Sequence, residues 1–171
     1  GNVIEVTRYL DKSIEVKDYG RGIPLDYNEG EQRYNWELVF CELYAGGKYN
    51  NVSGENYEFS LGLNGLGTCA TQYSSEYMDV EVLRDGFKFE LHFEKGENIG
   101  GLKKESYNYK HTMPRAQWRP DPDVFTDINI PLEYFQDVMK KQAIVNKGLL
   151  FKLKNEVSYV SFEEFEYIYN D

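Results

Sequence analysis

Residues 77–94, with the sequence YMDVEVLRDGFKFELHFE, carry the clearest structural signal in the chain. In the second half of this stretch apolar and polar residues alternate, as they do in a strand with one buried and one solvated face. Asp85-Gly86 separates the two halves and is a strong signal for a two-residue β-hairpin. The stretch therefore predicts an antiparallel strand pair, Tyr77–Arg84 and Phe87–Glu94. The predicted inward positions of the second strand are Phe87, Phe89, Leu91 and Phe93.

Two more strands are predicted near the start of the chain, Val3–Tyr9 and Ser13–Asp18, joined by a tight turn at Asp11-Lys12. Successive side chains of a strand point to opposite faces of a sheet. The second strand therefore carries two sets of residues, Ile14, Val16 and Asp18 on one face and Glu15 and Lys17 on the other. The first set is the apolar one, so the pattern predicts that the Asp18 carboxylate points into the interior of the domain.

Three segments have the spacing of amphipathic helices, namely Asn35–Tyr44, residues 65–73 and Pro131–Val145. In the second segment we expect Leu66, Cys69, Ala70 and Tyr73 to face inward. The third begins with a proline, which suits the first position of a helix. Its predicted apolar stripe is Leu132, Phe135, Val138, Met139 and Gln142.

The remaining signals are shorter. Residues 95–112 are polar and predicted to be irregular, whereas Ala116–Arg119 is predicted to be a short strand. Leu149–Leu153 and Val157–Val160 read as a hairpin, and the S-x-x-E pattern of residues 161–164 predicts a last short helix opened by a capping box. Together these elements predict an α+β two-layer sandwich, in which a mixed, mostly antiparallel sheet carries helices on one face.

Composition narrows the possible functions. The chain has 171 residues and a formal net charge of −10, with 19 Lys and Arg against 29 Asp and Glu. This length predicts a single domain over residues 1–171. The negative charge argues against a broad DNA-binding surface on this chain, because phosphate contacts need clustered basic residues. No apolar run approaches the roughly 20 residues that a membrane span requires.

The ends and the cysteines suggest where the protein works. Cys41 and Cys69 are far apart and belong to no metal-binding motif, which predicts two buried, reduced thiols in a cytoplasmic protein. We expect neither a signal peptide nor a membrane partner. Because the chain opens on Gly1 rather than Met, we expect it to be part of a longer protein.

Three glycine-bearing segments concentrate the possible chemistry. The first is residues 18–24, DYGRGIP, where an inward carboxylate stands beside a Gly-Ile-Pro wall. A buried carboxylate is costly unless it is paired or hydrogen-bonded, and a ligand amino group could be its partner. An ordinary Asp-x-Gly turn is the alternative for this segment. The second is residues 45–48, AGGK, whose lysine could meet a phosphate and whose glycines could equally cap a helix.

The third segment is residues 62–67, GLNGLG, which runs into an apolar helix. A glycine loop at the start of a helix presents free backbone N–H groups and the positive end of the helix dipole, so it favours an anion such as phosphate. The spacing matches neither the dinucleotide-binding fingerprint nor a P-loop.

The order DxGxGIP, AGGK and GLxGxG before a helix resembles the ATPase domain of type IIA DNA topoisomerases, that is, the B subunit of DNA gyrase and the E subunit of topoisomerase IV. The resemblance covers nearly the whole chain and includes the hairpin at residues 84–86 and the Pro120-Asp121 turn. It implies the GHKL or Bergerat ATP-binding fold, truncated at the N-terminus. It also implies ATP with Mg²⁺ as ligands and a role in changing DNA topology. The motifs do not separate gyrase from topoisomerase IV.

The resemblance implies roles for individual residues. Asp18 would accept a hydrogen bond from the adenine amino group, and Arg21 would brace the pocket through an ion pair. The adenine would be bordered by Gly22, Ile23, Pro24, Val39, Phe40 and Tyr57. The phosphates would be held by Gly46, Gly47, Lys48, Gly62, Leu63, Asn64, Gly65, Leu66 and Gly67. Arg84 lies where aminocoumarin inhibitors of the family bind.

Departures from the family pattern matter as much as the matches. The family's Mg²⁺-binding Asn and general-base Glu lie on a helix upstream of the first strand, so we expect both to be missing here and this chain alone to be inactive. The family's Gly-Thr pair is replaced by Met113-Pro114, and Thr112 is a possible substitute for the lost hydroxyl. Asn64 replaces a His, and Glu58 a frequent Lys.

Two functional hypotheses follow. In the first, this is the ATP-binding domain of a topoisomerase in which ATP closes a gate between two B/E-type subunits. The DNA-cleaving A/C-type subunit would be another partner, and DNA would be bound through other domains. In the second, the chain is a catalytically inactive remnant or interaction module that keeps the fold.

Overall fold

The computed structural model describes residues 3–20, 24–41 and 70–170. Its helices are α1 (Asn35–Cys41) and α2 (Leu132–Val145), and residues 70–73 are also helical. Its strands are β1 (Val3–Arg8), β2 (Ile14–Asp18), β3 (Tyr27–Asn28), β4 (Arg33–Tyr34), β5 (Ser75–Arg84), β6 (Phe87–Glu94), β7 (Glu97–Asn98), β8 (Lys103–Ser106), β9 (Met113–Pro120), β10 (Leu150–Ser158) and β11 (Ser161–Tyr167).

One large sheet dominates the described part of the chain. Its strand order is β11-β10-β1-β2-β9-β5-β6-β7, and β8 also pairs with β6. Among the described pairs, β1 and β10 run parallel and the others antiparallel. β3 and β4 form a separate two-stranded ribbon. The sheet is therefore mixed and mostly antiparallel, as predicted.

Helices α1 and α2 pack on the same face of the sheet. In α1, the rings of Trp36 and Phe40 lie 6.2 and 5.5 Å from that of Phe93 on β6, measured between centroids. In α2, Met139 and Ala143 are buried in the same apolar cluster. The second layer is thus held by apolar contact, the dominant favourable contribution to folding. This arrangement confirms the predicted two-layer α+β class.

The hairpin predicted from residues 77–94 is present. β5 and β6 pair from Tyr77↔Glu94 to Arg84↔Phe87, which puts Asp85 and Gly86 alone in the turn. Both turn residues have positive φ, 54° and 81°, as the favoured type I′ hairpin turn requires. The alternation then buries Phe89, Leu91 and Phe93 and leaves Phe87 half-buried.

Residues 95–112 are more regular than expected, because β7 and β8 extend the sheet beyond β6. β9 is also longer than the predicted short strand and pairs on both sides, with β2 and with β5. β7 forms a second tight hairpin with β6, because Glu94 pairs with Glu97 and both turn residues, Lys95 and Gly96, have positive φ. β8 and β9 gain their backbone hydrogen bonds from strands farther away in the chain, and local sequence carries little information about such pairing.

The predicted inward faces of two helical segments need correction. In residues 70–73, Ala70 and Tyr73 are exposed, and Gln72 is the buried residue, donating a hydrogen bond from Nε2 to the Phe40 carbonyl at 3.0 Å. In α2, Val138 and Gln142 are exposed, whereas Met139 and Ala143 are buried. The buried face of α2 is therefore narrower than the predicted apolar stripe and is centred on Met139 and Ala143. The predicted ends of the first helix, at Tyr44, and of the second, near Gly65, lie outside the described residues.

The end of the chain differs most from the prediction. The hairpin exists, but it turns at Tyr159-Val160, and the segment predicted as a capped helix is the strand β11. Nζ of Lys152 on β10 lies 4.0 Å from Oε1 of Glu166 on β11. Nζ of Lys154 likewise lies 3.8 Å from Oε1 of Glu164. Cross-strand pairs such as these, together with apolar contacts of alternate residues, favour the strand over the local capping signal.

The β5–β6 turn offers a test of the fold. Replacing Gly86 by Ala forces a side chain into left-handed backbone, so we expect the free energy of unfolding to fall by about 1–2 kcal/mol. Urea unfolding followed by circular dichroism measures this. Gly30→Ala is the matched control, because a Cβ there meets only an ordinary contact with Asn28 at 3.4 Å. Equal losses in the two variants would contradict the assigned turn.

Candidate functional site

Asp18 is the last residue of β2 and lies on the core-facing side of the sheet. The residue is only 5% exposed, which confirms the predicted inward carboxylate. It pairs with Ile4 of β1 on one side. On the other side, continuing the β2–β9 register one step past Lys17↔Arg115 sets it opposite Pro114. A carboxylate in this position needs hydrogen bonds to offset its lost hydration.

Gly20 supplies one of those hydrogen bonds. Its backbone N–H donates to Oδ1 of Asp18 at 2.7 Å. Its carbonyl accepts a hydrogen bond from the Thr112 hydroxyl at 2.5 Å. A Cβ atom at Gly20 would lie 3.1 Å from the same Asp18 oxygen, so the absence of a side chain permits this close approach. The possible substitute named above, Thr112, therefore reaches the residue that contacts Asp18.

Strand direction places a second predicted residue at the same edge of the sheet, meaning the border that the ends of the strands form. β2 and β5 both run antiparallel to β9, so their C-terminal ends meet at the N-terminal end of β9. Arg84, the inhibitor-contact candidate, is the last residue of β5. It lies two residues after Val82 and so on the same, core-facing side of the sheet, and Val82 pairs with Pro114. The Arg84 side chain is mostly buried, with Nε 3.2 Å from Oδ2 of Asp85. Asp18 and Arg84 thus occupy one face and one edge of the sheet.

The segment after Pro24 is fastened to the start of α1. Leu25 is buried, and its carbonyl accepts a hydrogen bond from the Trp36 N–H at 3.3 Å, while the Asp26 carbonyl accepts one from the Asn35 N–H at 2.8 Å. Pro24 itself is buried. Val39, predicted to line the base pocket, is buried in the apolar core, and so is Phe40. The predicted wall residues that the structure describes therefore belong to one packed unit.

Most of the other predicted site residues lie outside the described part of the chain. These are Arg21, Gly22, Ile23, Gly46, Gly47, Lys48, Tyr57, Gly62, Leu63, Asn64, Gly65, Leu66 and Gly67. Cys69 also lies outside it, while Cys41 is half-buried rather than buried as expected.

The opposite face of the sheet carries a polar network that the sequence did not reveal. Glu15, which lies on the face opposite Asp18 as predicted, is buried and accepts a hydrogen bond from Nε of Arg115 at 2.7 Å. The same guanidinium donates from Nη2 to Gln117 at 3.1 Å, and Gln117 donates to Ser13 at 3.2 Å. An ion pair with this support offsets part of the desolvation cost of Glu15.

His92 is the titratable centre of this polar face. Its Nδ1 lies 2.5 Å from Oδ1 of Asp79 and its Nε2 lies 3.2 Å from Oε1 of Glu94. The hydrogen bond to Asp79 raises the pKa of His92 above its usual value, with a smaller contribution from Glu94. The hairpin register pairs Asp79 with His92. The sequence therefore held this signal, because a turn at residues 85–86 sets positions 79 and 92 side by side.

A groove of about 310 Å³ also opens on this polar face. Its charged lining is Asp79, Glu81, Glu90, His92, Lys103 and Arg115. None of the predicted site residues that the structure describes lines it. The groove is therefore separate from the edge that holds Asp18.

Two further observations concern the described ranges as a whole. No three of their His, Cys, Asp or Glu side chains converge closely enough to hold a metal ion. None of their helices combines the length and apolarity needed to cross a membrane.

Comparison with known proteins places these features in context. No protein-family model matches the chain. It is 32% identical to the B subunit of DNA topoisomerase 4 from Francisella tularensis over 155 residues, which is 90% of this chain and 24% of that protein. It is 32% identical to the Escherichia coli homologue of that subunit and 33% identical to the B subunit of DNA gyrase from Thermotoga maritima, each over 91% of this chain and 24% of the relative. The chain thus spans about a quarter of the length of these relatives.

A solved structure extends the similarity to the fold. The topoisomerase IV ATP-binding domain of Francisella tularensis, in complex with a small-molecule inhibitor, matches with a TM-score of 0.74 at 26% identity. The match covers 98% of this chain and 76% of that one. The class defined by the sheet and its helices is therefore the α+β fold of a topoisomerase ATP-binding domain. The homologues of this chain are the B subunits of type II DNA topoisomerases, including those of topoisomerase IV and gyrase.

The His92 contacts predict a pH dependence of stability. A pKa raised by folding means that protonated His92 stabilises the fold fully below its unfolded pKa, near 6.5, and that this contribution is lost as pH rises through the folded value. We expect His92→Gln to remove this part of the decline in unfolding free energy above pH 6.5. The effect should be modest, because the side chain is more than a third exposed and solvent screens it.

Urea unfolding at half-unit intervals from pH 5.5 to 8.5 measures this dependence. His111→Gln is the matched control, because it removes an exposed histidine away from the Asp79 and Glu94 contacts. Parallel pH profiles for wild type and His92→Gln would contradict the assigned hydrogen bonds.

Proposed function

We propose that this chain is an ATP-binding domain and that the whole protein is an ATP-dependent type II DNA topoisomerase. The observation that carries the proposal is the buried Asp18 carboxylate at the shared edge of β2, β9 and β5. Its support is the similarity of almost the whole chain to a topoisomerase IV ATP-binding domain. Burying a carboxylate costs free energy, and a hydrogen bond from a ligand can offset part of that cost.

In this proposal Asp18 recognises the base. It accepts a hydrogen bond from the exocyclic amino group of adenine, which has two N–H donors. A carboxylate can accept about four hydrogen bonds, so it can bond the Gly20 N–H and a ligand at the same time. Pro24 and Val39 contribute apolar surface to the base pocket. Gly22, Ile23 and Tyr57 complete that wall, and Arg21 braces it.

The phosphates are proposed to lie against the glycine-bearing segments 46–48 and 62–67. Backbone N–H groups at a helix start suit a polyphosphate, and Lys48 adds a point charge. Mg²⁺ is proposed to accompany the triphosphate, although no described residue is assigned to it. In a protein of this class, nucleotide binding would close a gate between two copies of the B-type subunit, and hydrolysis would reopen it.

Partners beyond the nucleotide belong to the whole protein. We propose a second B-type subunit and an A-type subunit as partners, DNA contact through other domains, and a cytoplasmic location. The net charge of −10 supports placing the DNA-binding surface elsewhere in the protein.

One observation favours the second candidate function, an interaction module that keeps the fold without binding nucleotide. Pro114 stands opposite Asp18, where the family has a threonine, and proline offers neither a hydroxyl nor an N–H donor. The Thr112 hydrogen bond to Gly20 weighs against this candidate, because a donor is still present at that edge.

Nucleotide binding by the Asp18→Asn variant tests the proposal. The change keeps the size of the side chain and removes its charge, so it loses a charge-assisted hydrogen bond valued at about 1.5–3 kcal/mol. We expect ATP affinity to fall by about 10- to 100-fold, as measured by isothermal titration calorimetry. Thermal unfolding of both proteins checks that the fold is retained.

The matched control is Asp137→Asn, which removes one negative charge from an exposed position on α2. It should bind ATP like the wild type. Equal affinity of Asp18→Asn and wild type would overturn the assigned role of Asp18. Absence of binding by the wild type at millimolar ATP would instead support the interaction module.

A further inference from the structure

We infer that Thr112 is a positioning residue that orients the Asp18 carboxylate through Gly20. Two hydrogen bonds form the connection. The Thr112 hydroxyl donates to the Gly20 carbonyl at 2.5 Å, and the Gly20 N–H donates to Oδ1 of Asp18 at 2.7 Å. Thr112 lies 92 positions from Gly20 along the chain, so this link ties together two distant parts of the sheet edge.

The register explains why residue 112 is in reach. The last pair between β2 and β9 is Lys17↔Arg115. Three further steps of the same antiparallel register set residue 20 opposite residue 112. Between these positions stands Pro114, which has no N–H to donate across to β2. The Thr112 hydroxyl therefore supplies a donor just beyond the place where the backbone ladder stops.

Glycine makes this restraint necessary. A side chain at position 20 would crowd Asp18, because its Cβ would lie 3.1 Å from Oδ1. Glycine avoids that contact but has the widest choice of backbone angles, so its N–H is poorly oriented unless something holds it. The Thr112 bond fixes the carbonyl on one side of the Gly20 Cα. Fewer orientations then remain for the N–H on the other side, which contacts Asp18.

The consequence for ligand recognition rests on the proposed function. If Asp18 accepts a hydrogen bond from the adenine amino group, a fixed carboxylate discriminates better than one that rotates, because ordering it on binding costs affinity. Thr112 should therefore affect selectivity for a purine that carries the amino group over one that lacks it. It should affect overall stability much less, since its side chain is half-buried and outside the apolar core.

The first arm of the test needs no nucleotide. Hydrogen exchange of the Gly20 amide is measured by NMR in wild type, Thr112→Val and Thr112→Ser. Valine keeps the shape without the hydroxyl, and serine keeps the hydroxyl. We expect exchange to become at least about tenfold faster in Thr112→Val and to remain near the wild-type rate in Thr112→Ser, because amide exchange reports local opening. Unchanged exchange in Thr112→Val would overturn the inference.

The second arm measures selectivity. Dissociation constants are measured for ATP and for purine riboside triphosphate, which lacks the amino group. The selectivity ratio of each variant is the dissociation constant of this analogue divided by that of ATP. We expect Thr112→Val to lower that ratio by about 3- to 10-fold, Thr112→Ser to restore it, and the exposed control Thr126→Val to leave it unchanged. In an Asp18→Asn background, Thr112→Val should change the ratio no further, since both residues act through one contact.

The two arms distinguish a failure of the proposed function from a failure of the inference about Thr112. If the wild type binds neither nucleotide, the proposed function fails while the Gly20 exchange rates still decide whether Thr112 holds Gly20. If the wild type binds ATP and the ratio is the same in wild type and Thr112→Val, Thr112 is no positioning residue. Equal loss in Thr112→Val and Thr112→Ser would overturn the inference as well, because the hydroxyl would then not be the active group.

Discussion

The antiparallel pairing of β9 with both β2 and β5 is the constraint on which the candidate site depends. It brings the C-terminal ends of β2 and β5 to the N-terminal end of β9, so residues far apart in the chain share one edge of the sheet. This register brings Thr112 to Gly20, and Gly20 in turn contacts Asp18, two residues before it in the chain. A slip of one residue would turn Asp18 to the other face of the sheet and break this arrangement.

The two faces of the sheet hold buried acids in different ways. On the polar face, Glu15 lies within β2 and meets the Arg115 guanidinium in an ion pair supported by further hydrogen bonds. On the core face, Asp18 ends the same strand and accepts a hydrogen bond from the neutral Gly20 N–H. Its place at the strand end, on the edge shared with Arg84, makes Asp18 the buried acid suited to meet a ligand.

Local signals predicted much of this fold. The Asp85-Gly86 turn and the alternation around it specified β5 and β6, and the same reasoning placed Asp18 inward. The local pattern was misleading where partners decide the outcome, because residues 161–164 satisfy a helix cap yet pair with β10 as a strand. Of the candidate site, sequence suggested Asp18, Pro24, Val39 and Arg84. The link from Thr112 through Gly20 depends on register across 92 residues, which no local pattern encodes.

The parallel pair of β1 and β10 joins the start of the described chain to its end, with Val3 beside Leu150. During synthesis β1 must therefore wait for its neighbour, on the order of ten seconds at ordinary elongation rates. Until then it offers an open edge to any extended peptide nearby. Closing this pair also requires a very long loop, which slows folding more than it weakens the finished domain. Before β10 arrives, the unpaired side of β1 is therefore exposed to aggregation.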